Sequence, residues 1–477
     1  MGGMREDIRR GEVAAVRLAG GVSLGDALAV ADPGEWLALD AGARMVAWYR
    51  AEALPEWECV APLPADLAGL DESRLALALC HRDGRVRERA VRRSGAYPGL
   101  LPLIVIRATD WAQPVREGAR ELLRAALDVD AAVALAPLIL LVGRRERGAF
   151  GVDLLGEVLR GVSGERLVPL CTAADRTVRR FAYRLAVEER LLSPAQLARA
   201  AARDTDAVVQ TLCAEAALKA VPADADDDVL QPLLAARNPR ARSAGVTALR
   251  RVGRAAEAER FLVDRSAVVR ACARYVVRRL GGDPLPLYRG RCSDPGDPAL
   301  PPGAVIGLAE CGERADAGML WPLLAHPVPA VRARAVAGLR VLDVSDVARL
   351  RPLLDDSDPG VVGETAVSLL PSARRLPSEW LMERIGVRWP RHVRTAAFRL
   401  LCAGPGIVPL RAAVELLDDA DPKLRGRAEQ AVRRWHPSAD VPRGEAEVAA
   451  LLDRCERLFD EYVLRRKKWE AGLSHPS

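Results

Sequence analysis

Apolar residues fall at helical spacing in short runs broken by polar turns. One phrase recurs through them: an apolar pair, a polar turn, then Val-Arg opening an Ala- and Leu-rich run. Ten copies follow a period close to 31 residues. The phrase is clear at Val86-Arg87, Val115-Arg116, Val178-Arg179, Val269-Arg270, Val331-Arg332 and Val393-Arg394, and degenerate at Val209-Gln210, Ala241-Arg242, Val362-Gly363 and Leu424-Arg425. The steps joining Val331, Val362, Val393 and Leu424 are 31 residues each. Two gaps, Val115 to Val178 and Val269 to Val331, are double steps, so further units are expected near residues 147 and 300. A short fixed period of this kind predicts a stacked array.

The physics of one unit explains why it must repeat. In LWPLLAHPVPAVRARAVAGLR, Leu320 to Arg340, apolar positions lie at helical spacing on both sides of a Pro-containing break, which predicts two short helices joined by a tight turn. Two such helices cannot bury both apolar faces alone, and stacking the next pair, Leu350 to Leu370, extends one continuous core. The turns carry Asp83, Asp175, Asn238 and Asp421, each four residues before the Arg of its step. A short polar side chain there accepts from the N–H groups that open the second helix, so these residues are expected to be caps, not catalysts.

The turn Asp or Asn, the Val-Arg step and the Ala-rich second helix together resemble the HEAT-repeat family, in particular its short bacterial form, over roughly residues 70 to 435. Asp83-Gly84-Arg85-Val86-Arg87 and Asp175-Arg176-Thr177-Val178-Arg179 carry the likeness most clearly. The resemblance implies an all-α fold, an α-solenoid in which antiparallel helix pairs stack as a right-handed superhelix. It also implies a ladder between turn Asp and following Arg of neighbouring repeats, which would make Arg87, Arg179, Arg242, Arg332 and Arg425 structural. Gln210 and Gly363 depart from the pattern and should interrupt the ladder. The tetratricopeptide and ankyrin signatures are absent. A binding architecture with many unrelated partners does not name one.

Composition agrees. A globule of 477 residues is expected to split into domains, whereas a solenoid adds units without enlarging its core. Aromatics are 4% of the chain, as thin helix-to-helix layers require, and Lys occurs only at 219, 423, 467 and 468, which reads as a coding bias toward Arg. Nine dispersed cysteines without a CxxC pair, and no apolar signal-type segment, predict a reducing, cytoplasmic setting. No run of 18 apolar residues occurs, so no membrane partner is expected.

Three segments break the regular array. Residues 1–60 hold Trp36, Trp48, Tyr49 and Trp57 without a clean Val-Arg unit and are expected to form an atypical helical cap. Repeats then fill 61–280 and 304–436, on either side of a Pro- and Gly-dense stretch, 281–303, read as a long connection that bends the array or lets its halves move. Residues 437–477 contain apolar positions at helical spacing from Val448 to Val463, read as one long capping helix and a tail.

Catalytic chemistry is nearly missing. His81, His326, His392, His436 and His475 are scattered, with no HExxH, no zinc spacing, no GxSxG elbow and no phosphate loop, so neither metal nor cofactor is expected. The clusters Asp355, Asp356, Asp358 and Asp418, Asp419, Asp421 precede second helices and read as solvated caps. One charge feature rises above the background: from Arg237 to Arg291 fourteen arginines face four acids, while the whole chain is +6, so the remainder is net acidic. Within it Arg270, Arg274 and Arg278 share one helix face, and with Arg240 and Arg279 they form the candidate partner-binding set. The favoured reading is a noncatalytic scaffold that holds a protein partner, of acidic character, on its concave surface. The alternative is nucleic-acid binding through the same basic region, by resemblance to HEAT-like DNA glycosylases. Asp110-Trp111 is the one pair similar to their acid-beside-aromatic site, although Trp111 is expected to pack between units. A lyase acting on a tetrapyrrole–protein conjugate, as in some short-repeat relatives, has no residue to support it.

Overall fold

A computed structural model of the chain describes residues 2–45, 54–220, 227–404 and 406–473. Trp48, Tyr49 and His475 lie outside the described residues. Among the described residues there are 30 α-helices, eight 3-10 helices and no strand: the chain is an all-α α-solenoid. No described helix is long and apolar enough to cross a membrane. Two compact units, Met1–Gly245 and Val246–Ser477, divide it.

Each unit is a stack of helix pairs. In the first, Leu101–Arg107 pairs with Gln113–Ala126, Val129–Val142 with Ala149–Leu159, and Gly164–Cys171 with Arg176–Glu188. In the second, Pro284–Arg291 pairs with Pro302–Cys311, Ser378–Ile385 with Arg391–Cys402, and Val408–Glu415 with Pro422–Arg434. Pairs therefore stand near residues 147 and 300, where the double steps leave room for them. The apolar residue of the Val-Arg step is the pin of each layer. Val115, Val178, Val209, Val269, Val331, Val393 and Leu424 are all buried, each contributing about 1.5–3 kcal/mol.

Two turn positions with different tasks precede each second helix. Four residues before the Arg, Asp83, Asp175 and Asp421 accept from the N–H of Arg85, Thr177 and Lys423, and Asn238 from that of Ala241, capping the helix for about 1 kcal/mol each. The ladder uses the residue two places earlier, not these caps. Arg87 donates both arms to Asp110 of the next unit at 2.8 Å, Arg179 pairs with Asp204 (2.9 Å), Arg332 with Asp356 (2.8 and 2.9 Å) and Arg394 with Asp419. The remaining arm reaches the carbonyl six residues back in its own turn: Arg87 to His81, Arg116 to Asp110, Arg179 to Ala173, Arg242 to Ala236, Arg332 to His326 and Arg425 to Asp419. Arg87, Arg179 and Arg332 each tie their own turn to the next in this way. Gln210 keeps the second contact, to the Asp204 carbonyl at 2.7 Å.

The ladder is buried most deeply in the first unit. Arg87, Arg107, Asp110 and Asp40 are all buried, and Arg107 bridges the two carboxylates, reaching Asp110 at 3.0 Å. Cys80 lies beside them, and burial pushes its thiol well above the ordinary range. In the second unit burial alone would raise the Asp356 carboxyl, but the Arg332 hydrogen bonds and the Asp358 N–H hold it below its ordinary value.

Four sequence expectations are corrected. The degenerate step is Val361-Val362, not Val362-Gly363. The helices Pro329–Val341, Pro359–Leu369 and Pro422–Arg434 all open on proline, and Val331, Val361 and Leu424 each follow it by two residues. Val361 and Val362 are buried whereas Gly363 is exposed, so an apolar residue, not glycine, fills the Arg position. Residues 281–303 are not connection throughout: Pro284–Arg291 is helical and Tyr288, buried, donates to the Leu262 carbonyl at 2.7 Å, while 292–301 is irregular. The two compact units part instead at Gly245–Val246. The C-terminal segment is two α-helices, Ala446–Arg454 and Glu461–Glu470, since Phe459 is extended and Asp460 caps the second from its start. Finally, Trp111 does not pack between units: it is 67% exposed, with the Arg87 guanidinium 5.6 Å from its ring centre.

The N-terminal residues cover the first pairs. Trp36 and Trp57 are buried and donate from Nε1 to the carbonyls of Val30 and Ala43, both at 2.8 Å. The Gly2–Ala19 and Pro33–Gly42 helices cross so closely that a Cβ on Gly11 would lie 1.8 Å from the Ala38 carbonyl oxygen.

Candidate anion-binding groove

The basic residues singled out in the sequence do not form one accessible face. Arg270 is only 3% exposed. It donates to Glu310 at 3.0 Å through Nε and to the Asp264 carbonyl at 2.7 Å, and Arg274 reaches the same Glu310 at 2.6 Å. Burial would raise the Glu310 carboxyl, but these two guanidinium groups hold it below its ordinary value. The shared helix face is real, yet it turns toward the Pro302–Cys311 helix, whose acid lies 36 to 40 residues away in sequence. Arg278 and Arg279 are exposed at the end of their own helix, Ala267–Arg279, and Arg240 is exposed in the first unit.

A different basic site exists in the second unit. Its second helices Pro302–Cys311, Pro329–Val341, Pro359–Leu369 and Arg391–Cys402 pack side by side in succession. That packing loosens at the next step, between Arg391–Cys402 and Pro422–Arg434. The two helices are tied at their N-terminal ends by Arg394 to Asp419 and Arg391 to Asp421 (2.5 Å). Beyond the tie they diverge, and the connection turns through Gly406 at φ +67°, a left-handed conformation that suits glycine. A cavity of about 910 Å³ opens between them.

Helical spacing decides what faces the cavity. On one wall Thr395, Arg399 and Cys402 lie one turn apart, and on the other Arg427, Ala431 and Arg434 do. Arg374 adds a fourth cation on the rim, and Asp440, 3.8 Å from it, is the acid there. The floor is apolar, built by Phe398 and Trp435, which are 4% and 7% exposed. Among the described residues Arg399, Arg427 and Arg434 have neither hydrogen-bond nor ion-pair partners, in contrast to the ladder arginines. His436 lies on the rim but turns to Glu470 at 3.2 Å. The arrangement is a positive rim over an apolar floor. It attracts an anion.

Comparison with known proteins gives low-scoring likenesses only. No protein-family model matches the chain, and no curated protein matches it. Several solved structures resemble it at low scores. Kap121p bound to Pho4p is 12% identical over 82% of this chain and 51% of that one, with a TM-score of 0.33. Importin beta is 12% identical over 96% and 68%, with a TM-score of 0.32. A tubulin-recruiting array of TOG domains is 12% identical over 83% and 98%, with a TM-score of 0.26. The chain spans about half the length of Kap121p. At these scores the functions of those proteins do not transfer.

The remaining candidate chemistry is consumed by structure. Asp110 is 6% exposed and saturated by Arg87, Arg107 and the Ala112 N–H, so it offers no carboxylate beside Trp111. His326 is 1% exposed; its Nδ1 accepts from Val328 N–H and its Nε2 donates to the Asp297 carbonyl at 2.9 Å, fixing the neutral tautomer. His81 occupies the same turn position and accepts from Asp83 N–H at 3.0 Å. His392 meets the Asp356 carbonyl at 3.2 Å. The two aspartate clusters divide between caps and ion pairs, with Asp355 on Arg384, Asp356 on Arg332, Asp418 on Arg457 and Asp419 on Arg394. They are therefore not simply solvated caps, as read from the sequence. Among the described residues no group of three His, Cys, Asp or Glu is placed to hold a metal ion.

Proposed function

We propose that this protein is a noncatalytic scaffold that holds a protein partner on the face formed by its second helices, with the groove of the second unit as the principal contact. The observation that carries this reading is the set Arg399, Arg427 and Arg434, three cations without internal partners around one cavity. At the ladder positions the repeat spends its arginines on holding units together; these three, like Arg278 and Arg279, are left to solvent, but they surround one cavity. An acidic partner gains from such a rim both faster encounter and a fixed register. The repeat phrase, with its period near 31 residues, supports placing the chain among HEAT-type arrays of the short bacterial kind. The nine free cysteines support a reducing, cytoplasmic setting.

Affinity capture of the tagged protein from its native lysate, with and without nuclease, tests the reading. A stoichiometric protein that survives nuclease and is lost from the Arg399→Glu/Arg427→Glu/Arg434→Glu variant is the expected result. Loss of all bound material on nuclease treatment would replace it with nucleic-acid binding, whose affinity falls by roughly a thousandfold or more from 50 to 200 mM salt when six or more phosphates are contacted.

A further inference from the structure

We infer that the groove takes a protein segment in which an apolar side chain is flanked by carboxylates. The inference rests on the scaffold reading and adds the chemistry of the occupant. Two features of the cavity require it. The rim presents Arg427 and Arg434 two turns apart on one helix, about 10 Å at a rise of ~1.5 Å per residue, with Arg399 facing them from the other wall. Carboxylates on both sides of a central residue meet these cations without leaving the groove. Between them Phe398, Ala431 and Trp435 line the cavity; the two rings are nearly covered, so the apolar floor is shallow and the half-buried Ala431 methyl is its more open part. A cavity of about 910 Å³ admits a Leu- or Phe-sized side chain together with the backbone around it.

The same features disfavour a nucleic-acid strand. Strands are held by stacking bases on open aromatic faces. Phe398 and Trp435 are 4% and 7% exposed, so their rings are walls, not platforms. Asp440 stands on the rim beside Arg374, where it can accept an N–H from a peptide backbone. Thr395, Gln430 and Ser438 supply further hydrogen-bonding groups of the kind an extended backbone uses.

Fluorescence anisotropy on the full chain tests the inference with three labelled probes: the peptide Asp-Asp-Glu-Leu-Asp-Glu-Asp, the same peptide with Ser in place of Leu, and a 12-nucleotide oligothymidylate. The Leu peptide is expected to bind roughly tenfold tighter than the Ser peptide, the difference one buried leucine makes. Arg399→Glu/Arg427→Glu/Arg434→Glu is expected to abolish binding of both peptides. Ala431→Trp, which fills the floor and leaves the rim intact, is expected to erase the Leu preference only. Circular dichroism confirms that each variant stays helical. Equal affinity for both peptides overturns the anchor, while the scaffold reading stands if lysate capture still depends on the three arginines. Binding of neither peptide at about 1 mM, or tighter binding of the oligothymidylate that the triple reversal removes, overturns the inference outright.

Discussion

Removing Asp110 is the sharpest test of how the repeats are joined. Asp110→Ala takes both carboxylate contacts from Arg87 and one from Arg107, and it frees the Ala112 N–H at the start of the next helix. Arg87 is fully buried and retains only the carbonyls of His81 and Arg82. Breaking a buried ion pair by removing one partner costs about 3–5 kcal/mol, because the remaining charge is left uncompensated. The equivalent change in the second unit, Asp356→Ala, strands Arg332, whose side chain is 14% exposed and so regains water. Its expected cost is smaller, about 1–2 kcal/mol. A chain of two compact units does not unfold in one step, so amide hydrogen exchange in the Gly84–Arg93 and Gln113–Ala126 helices is the appropriate assay for Asp110→Ala. A double cycle with Arg87→Ala should show coupling of about 2 kcal/mol. Equal costs for Asp110→Ala and Asp356→Ala, or additivity in the cycle, would refute the argument that burial sets the strength of each rung.

Three further outcomes are expected. Gly11→Ala forces apart two helices in backbone contact, so it should destabilise the N-terminal cap by at least ~2 kcal/mol, measured by hydrogen exchange in Gly2–Ala19; an unchanged pattern there counts against the close crossing. Tyr288→Ala removes a buried ring and its hydrogen bond, costing about 3–5 kcal/mol, and should open residues 284–303 to limited proteolysis, where the parent chain resists; cleavage of the parent at the same rate would restore the open-connection reading. The Asp356 and Glu310 carboxyls sit below ordinary values near 3.8 and 4.5, so their ion pairs stabilise fully above about pH 5 and are lost as pH falls through the lower folded-state values. Acid titration of stability should therefore be shallower in Asp356→Asn than in the parent, and a slope that does not change would show that Asp356 is not an acid-sensitive rung.

Much of this architecture is legible in the sequence, because burial and capping are local demands. The Val of each step and the turn residues Asp83, Asp175, Asn238 and Asp421 are set by one helix start apiece. The ladder acceptor is harder to see, since its partner sits in the neighbouring unit, but a signal exists. Asp204-x-Asp206, Asp356-x-Asp358 and Asp419-x-Asp421 place acceptor and cap two residues apart. The register at residue 362 is legible too, because proline favours the first helical position and Pro329, Pro359 and Pro422 fix the count. The apparent fixed period there hides steps of 30 and 32 from Val331 through Val361 to Val393. The basic site is least legible. A charge count cannot know that Glu310 neutralises Arg270 and Arg274, nor that two helices diverge beside Arg399, Arg427 and Arg434.

The central claim is that the second unit holds its partner between the Arg391–Cys402 and Pro422–Arg434 helices. Hydrogen–deuterium exchange of the chain with and without its captured protein partner tests it most directly. Protection concentrated in those two helices, and absent from the same helices in the triple Arg→Glu variant, is the expected result. Protection confined to other helices, with these two unchanged, would contradict the account.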